Sequence, residues 1–110
     1  MKISRDKNYA LIVSTETTFD NFIETFNNEK LGEVSDHKII QLSENLNITV
    51  NNLLVFLEIT NNHRRSGMSF VIICKGIDID LIPDEINVVP TITEAEDIIE
   101  MEAIERDLGF

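Results

Sequence analysis

Two histidines, one cysteine and twenty carboxylates carry most of the chemistry available to this 110-residue chain. His37 and His63 stand apart, in neither an HxH nor an HxxxH spacing, so with a single cysteine no dedicated zinc site is expected. The HxHxDH pattern of metal-dependent nucleases is absent as well. Gly32, Gly67, Gly76 and Gly109 are isolated and form no glycine-rich phosphate cradle. Asp78 with Asp80, and Asp84 with Glu85, supply paired carboxylates, but a calcium loop needs more oxygen ligands and a glycine turn at fixed offsets. Cys74 lies inside the apolar run FVIICKG with no cationic neighbour before it, which reads as a small buried side chain rather than a reactive thiol. This inventory predicts no catalytic residues, no metal and no cofactor, and points to a binding module rather than an enzyme.

The polar chemistry concentrates in SENLNITVNNLLVF, residues 43–56, where Asn45, Asn47, Asn51 and Asn52 fall within eight positions. Glu44 is the only charge there, although charged residues make up 26% of the chain. A strand-to-helix turn capped by Thr49 explains the polar, turn-favouring set. It does not explain the missing charge. Asparagine offers donors and acceptors without the desolvation cost of a buried charge, which suits a protein interface. Asn45, Asn47, Thr49, Asn51 and Asn52 are therefore the candidate partner-binding residues.

Twenty acidic against nine basic residues give a formal charge of -11, which repels a nucleic-acid backbone. The densest cationic cluster, NHRRSG at 62–67, is expected to complement the macrodipole at a helix C-terminus. At this length one domain with one core is expected, and 43% hydrophobic content with only two prolines and four glycines places it among folded chains. Apolar runs such as ALIV, LLVFL and FVIIC are far shorter than the roughly 20 residues a membrane span needs. The start MKISRDKNYA carries charges where a signal peptide needs its apolar segment, so a cytoplasmic protein without a membrane partner is expected.

Short apolar, β-branched runs and helical periodicity supply the elements. KIS predicts a short edge strand and YALIVS a strand after it. Phe19, Phe22, Ile23 and Phe26 share one helical face, with Thr17 or Thr18 as N-cap and Gly32 near the stop. HKIIQLS reads as a strand; Val50, Leu53, Leu54 and Leu57 then predict a helix ending near HRRSG, with Phe56 and Ile59 widening its apolar arc. MSFVIICKG predicts a strand covered on both faces. IDIDLIPDEI is ambiguous between strand, loop and helix start, and NVVPT reads as a short last strand. Thr91 and Glu94 match a capping box at the head of a final helix, where Ala95, Ile98, Ile99, Ala103 and Leu108 make one broad face. Strands alternating with helices predict an α/β fold on one mostly parallel sheet with right-handed crossovers.

This element order, with the block KIIQLSENLNITVNNLLVFLEITNNHRRSGMSFVIIC and the closing VVPTITEAEDIIE, resembles the STAS domain of bacterial anti-sigma factor antagonists. The resemblance covers essentially the whole chain and implies a single STAS-like α/β domain over residues 1–110. It also implies a mostly parallel mixed sheet of about four to five strands with about four helices. In that family the turn before the helix bears an Asp-Ser-Ser-Gly signature whose serine is phosphorylated by a kinase-type anti-sigma factor. Here Thr49 falls at the Asp, Val50 and Asn51 at the serines, and Asn52 at the Gly. The phosphoacceptor and the glycine are both missing, so the switch and its kinase do not carry over.

Three functions are open to such a chain. The first is docking to a protein partner in bacterial signalling through Asn45 to Asn52. The second is a ligand-binding or enzymatic pocket at the C-terminal ends of the strands, where Ser43, Glu44, Thr49, Lys75 and Asp78 would converge. The third is a homo-oligomer pairing through an exposed apolar edge.

Overall fold

A computed structural model of the chain describes residues 1–6 and 8–109. Five short strands, β1 (Lys2–Arg5), β2 (Ala10–Val13), β3 (Lys38–Gln41), β4 (Phe70–Ile73) and β5 (Asn87–Val89), lie side by side in chain order. β1 runs antiparallel to β2, and the other pairs are parallel. The described residues also form four α-helices, α1 (Phe19–Asn28), α2 (Val50–Leu54), α3 (Leu57–Arg65) and α4 (Ile92–Asp107). Single 3-10 turns occupy Glu44–Leu46 and Ile79–Leu81, the second resolving the ambiguous IDIDLIPDEI as a loop. The chain is thus one α/β domain on a mostly parallel mixed sheet. No helix of the described residues is long and apolar enough to cross a membrane.

Register sorts the side chains between the two faces. Ile12, Ile40, Ile72 and Val88 stand abreast on β2 to β5 and meet Phe22, Phe26, Leu53 and Phe56 from the helices, with Ile82 and Ile86 from the β4–β5 connection. The alternate residues Ile39, Val71 and Ile73 meet Ala95 and Ile99 of α4 on the other side. When parallel strands follow one another in order, crossovers of one hand all fall on one face. The three connections here do so, and α4, which follows the last strand, covers the other. β4 is consequently buried along its whole length, as its unbroken apolar run implied.

Helix starts follow the threonines. Thr18 Oγ1 accepts from the Asn21 N–H at 3.1 Å, and Thr91 Oγ1 from the Glu94 N–H at 3.2 Å. The Glu94 carboxylate meets the Thr91 hydroxyl at 3.3 Å, so the second half of a capping box, a bond back to the cap's own N–H, is replaced by a side-chain bond. α1 does not stop at Gly32. Its last helical residue is Asn28, and Lys30 takes the left-handed turn at φ 55°. Gly32 serves close approach instead, since a Cβ there would lie 3.2 Å from Ile59 Cδ1 of α3.

The helix expected to run unbroken from Val50 to the arginines is divided. The Val55 N–H bonds back to Asn52 O and the Phe56 N–H to Leu53 O, both three residues away, which tightens one turn between α2 and α3. Three residues per turn places Phe56 directly over Leu53, so both are fully buried while Leu54, expected in the core, is 39% exposed. Phe56 then meets Phe19 at 6.1 Å, Phe26 at 5.7 Å and Phe70 at 5.9 Å between ring centroids, two of the three edge-on. Phe56→Ala is expected to cost about 3–5 kcal/mol in denaturant unfolding. Leu54→Ala, two positions away, should cost under about 1 kcal/mol. Equal losses would restore an uninterrupted helical face.

Candidate functional site

The polar segment forms a tip beyond β3, held from below. The Ser43 N–H donates to Ser14 Oγ at 2.8 Å at the end of β2, and Ser43 Oγ accepts from the Asn45 N–H at 3.2 Å. Leu46 is buried and pins the 3-10 turn to the core. Asn47 then takes the left-handed region at φ 49°, which asparagine tolerates better than most side chains. Thr49 Oγ1 accepts from the Asn52 N–H at 3.2 Å while Asn52 Oδ1 accepts from the Thr49 N–H at 2.9 Å, a reciprocal box that opens α2.

The five sequence candidates therefore divide by role. Asn45, Asn47 and Asn51 are exposed along the tip. Thr49 and Asn52 hold each other in the cap.

Two clefts flank the tip at the C-terminal ends of the strands, of about 480 and 310 Å³. Ser43, Glu44 and Lys75 line both, Asn47 and Cys74 the first, and Thr91 the second. Thr49 and Asp78 line neither, and Asp78 instead caps the second 3-10 turn through the Asp80 N–H at 3.0 Å. Burial pushes the Cys74 thiol up, so it stays protonated and unreactive.

The opposite end of the sheet holds an arrangement that sequence patterns did not reveal. Lys38, first residue of β3, shares the helix-facing side with Ile40 and is only 2% exposed. Its Nζ donates to Glu33 O at 2.7 Å and to Ser35 Oγ at 3.4 Å, lies 3.3 Å from Asp36 Oδ1, and reaches His63 Nε2 at 3.1 Å. His63 is fully buried at the end of α3, with Nδ1 2.8 Å from Ile59 O. A carbonyl only accepts, so Nδ1 carries the proton and Nε2 accepts from the lysine. Burial holds both groups below their ordinary values; for Lys38 the Asp36 carboxylate opposes this, and for His63 the Lys38 charge adds to it.

His63 is thus a neutral core side chain, 5.1 Å from the Phe70 ring, and not part of a surface cationic cluster. Of that cluster's three basic residues Arg64 and Arg65 are the exposed ones, and they bond to Glu85 O and Asn62 Oδ1. One signal could have found the pair: His63 falls seven positions after Phe56 on the buried side of the helix, and Lys38 alternates in phase with Ile40.

A third cleft, of about 430 Å³, lies between α4 and the starts of β2 and β3, where Tyr9, His37, Glu96 and Glu100 converge. Tyr9, Glu96 and His37 are already engaged. The Tyr9 hydroxyl donates to Glu96 Oε2 at 2.9 Å, and burial with that carboxylate pushes the phenol up to about 12. His37 Nδ1 accepts from the Ser69 N–H at 2.8 Å. Among the described residues no three His, Cys, Asp or Glu side chains are grouped to hold a metal ion. Compared with known proteins, the chain matches no family model and no curated protein.

A depressed histidine pKa means that the unfolded chain binds more protons than the folded one as the pH falls below 6.5. Stability is complete above that value and is lost as the pH drops through the folded value. The Asp36 carboxylate adds a second loss at lower pH: burial raises its pKa, but the Ser35 hydroxyl, Lys38 and Arg5 together hold it below 3.8. The imidazole signal of His63 in NMR should titrate below 6.5, and Lys38→Met should move that midpoint upward. The same variant should lose about 2 kcal/mol or more, because Glu33 O and His63 Nε2 lose their donor. A His63 midpoint at or above the ordinary value would remove the basis of this assignment.

Proposed function

We propose that this chain is a STAS-like protein-binding module in bacterial signalling, docking a partner through the tip between β3 and α2 without a serine-phosphorylation switch. The element order supports it: strand, strand, helix, strand, a helix divided into α2 and α3, strand, short segment, strand, acidic helix. The observation that carries the docking surface is the tip itself, with Asn45, Asn47 and Asn51 exposed, uncharged and set on a turn held by Ser14, Leu46 and the Thr49–Asn52 box. A turn held in this way loses little conformational freedom on binding. Thr49, the hydroxyl nearest the missing phosphoacceptor, serves as N-cap and is not assigned a regulatory role. The module works by docking rather than by chemistry.

A second reading rests on Ser43, Glu44 and Lys75, which share two clefts at the usual ligand position of an open α/β sheet. A ligand bound there would raise the melting temperature of the wild type and not of Lys75→Ala. A thermal-shift screen with nucleotides and metabolites separates the two.

The tip is tested by affinity purification from the native cell. Asn45→Arg with Asn51→Arg changes the exposed tip and leaves the cap and the left-handed Asn47 untouched, so stability should shift by no more than about 0.5 kcal/mol. The partner recovered with wild type should be lost. Recovery of the same partner at wild-type yield would remove the tip as the docking surface. Thr49→Ala, by contrast, should cost about 1 kcal/mol of stability.

A further inference from the structure

α4 is apolar on two opposite sides. Its inner side, with Ala95 and Ile99, packs on the sheet. On its outer side Met101 is 53% exposed, Ile104 53% and Leu108 67%, and Leu108 continues the helical backbone at φ -84° and ψ -2°. The three stand at i, i+3 and i+7, the a, d, a spacing of a coiled-coil seam. In that register Glu100 and Asp107 occupy g positions and Glu105 an e position, and all three are exposed. Arg106, the only basic residue of the helix, is half-buried and approaches Ser69 Oγ at 3.5 Å. The seam is therefore flanked by acids alone.

We infer that the outer face of α4 docks a basic amphipathic helix of a partner protein, with leucine or isoleucine on the seam and lysine or arginine at its e and g positions. Charge decides among occupants. A second copy of the chain would set Glu100 against Glu105 in a parallel pairing, and Glu105 against Glu105 in an antiparallel one, so self-association through this seam is opposed in both orientations. An anionic membrane surface is repelled in the same way. A cationic helix satisfies the seam and its flanks together, and steers toward a chain of net charge -11. This surface is separate from the Asn tip and stands without it.

The test uses two synthetic helical peptides with the same leucine seam, one bearing lysine and the other glutamate at e and g, titrated onto the full chain. The lysine peptide should bind and the glutamate peptide should not. Met101→Asp with Ile104→Asp should weaken binding about tenfold or more, with circular dichroism unchanged because both residues point outward. Glu100→Lys with Glu105→Lys and Asp107→Lys should reverse the preference between the peptides. Equal binding of both peptides to wild type, or undiminished binding by the aspartate variant, overturns the proposal. So does a homodimer in sedimentation velocity that Ile104→Asp dissociates, or capture of the chain by phosphatidylglycerol vesicles through the same residues.

Discussion

The buried amino group of Lys38 ties α3 to the start of β3 and to the connection that precedes it. An ammonium taken out of water costs several kcal/mol unless its donors are satisfied, and these are met by the α1–β3 connection on one side and by α3 on the other. Two segments distant in sequence, residues 33–38 and α3, must therefore arrive together. Such a pair adds little net stability over apolar replacement of both partners together, but removal of one, or a wrong approach of α3, would strand a polar group. The imidazole is drawn into the same condition, kept neutral so that it can accept.

That constraint sits at the N-terminal ends of the parallel strands and the Asn tip at the other end, with α2 and α3 spanning between. His63 fixes the end of α3, Phe56 fixes the joint with α2 against three other rings, and the Thr49–Asn52 box fixes the start of α2. The segment is thus held at its end, middle and beginning. A surface built on elements held in this way keeps its shape without a ligand.

Much of this was legible in sequence where one rule acts locally. Short apolar, β-branched runs placed the strands, the Phe19–Phe26 stripe placed α1, and threonine before a helical run located caps at Thr49, Thr91 and one of Thr17 and Thr18, which is Thr18. What escaped depends on departures from the ideal period or on partners far along the chain. One tight turn moved Leu54 out of the core and brought Phe56, expected at the edge of the apolar arc, to its centre, and no local pattern signals it. Gly32 resembled a helix stop because glycine favours left-handed turns, whereas Lys30 makes that turn and Gly32 admits Ile59. Lys38 and His63 each stand in phase with buried neighbours, but the backbone carbonyl of Glu33 that completes their contacts carries no sequence signal. The tip was legible as a group of asparagines, but its division into exposed and capping members follows from the reciprocal bonds.

The distribution of charge gives the missing charges of the tip a physical sense. Like charges on two approaching proteins repel over roughly a Debye length, about 8 Å at physiological salt. On a chain of net charge -11, an exposed surface made of asparagine is where a neutral or acidic partner meets least repulsion. Lys75, beside Glu44 in both clefts, further offsets the single charge there. The outer face of α4 has the opposite character, since its acids favour a cationic neighbour. As proposed docking surfaces the two would differ in charge as well as in shape, so that a protein suited to one is poorly suited to the other.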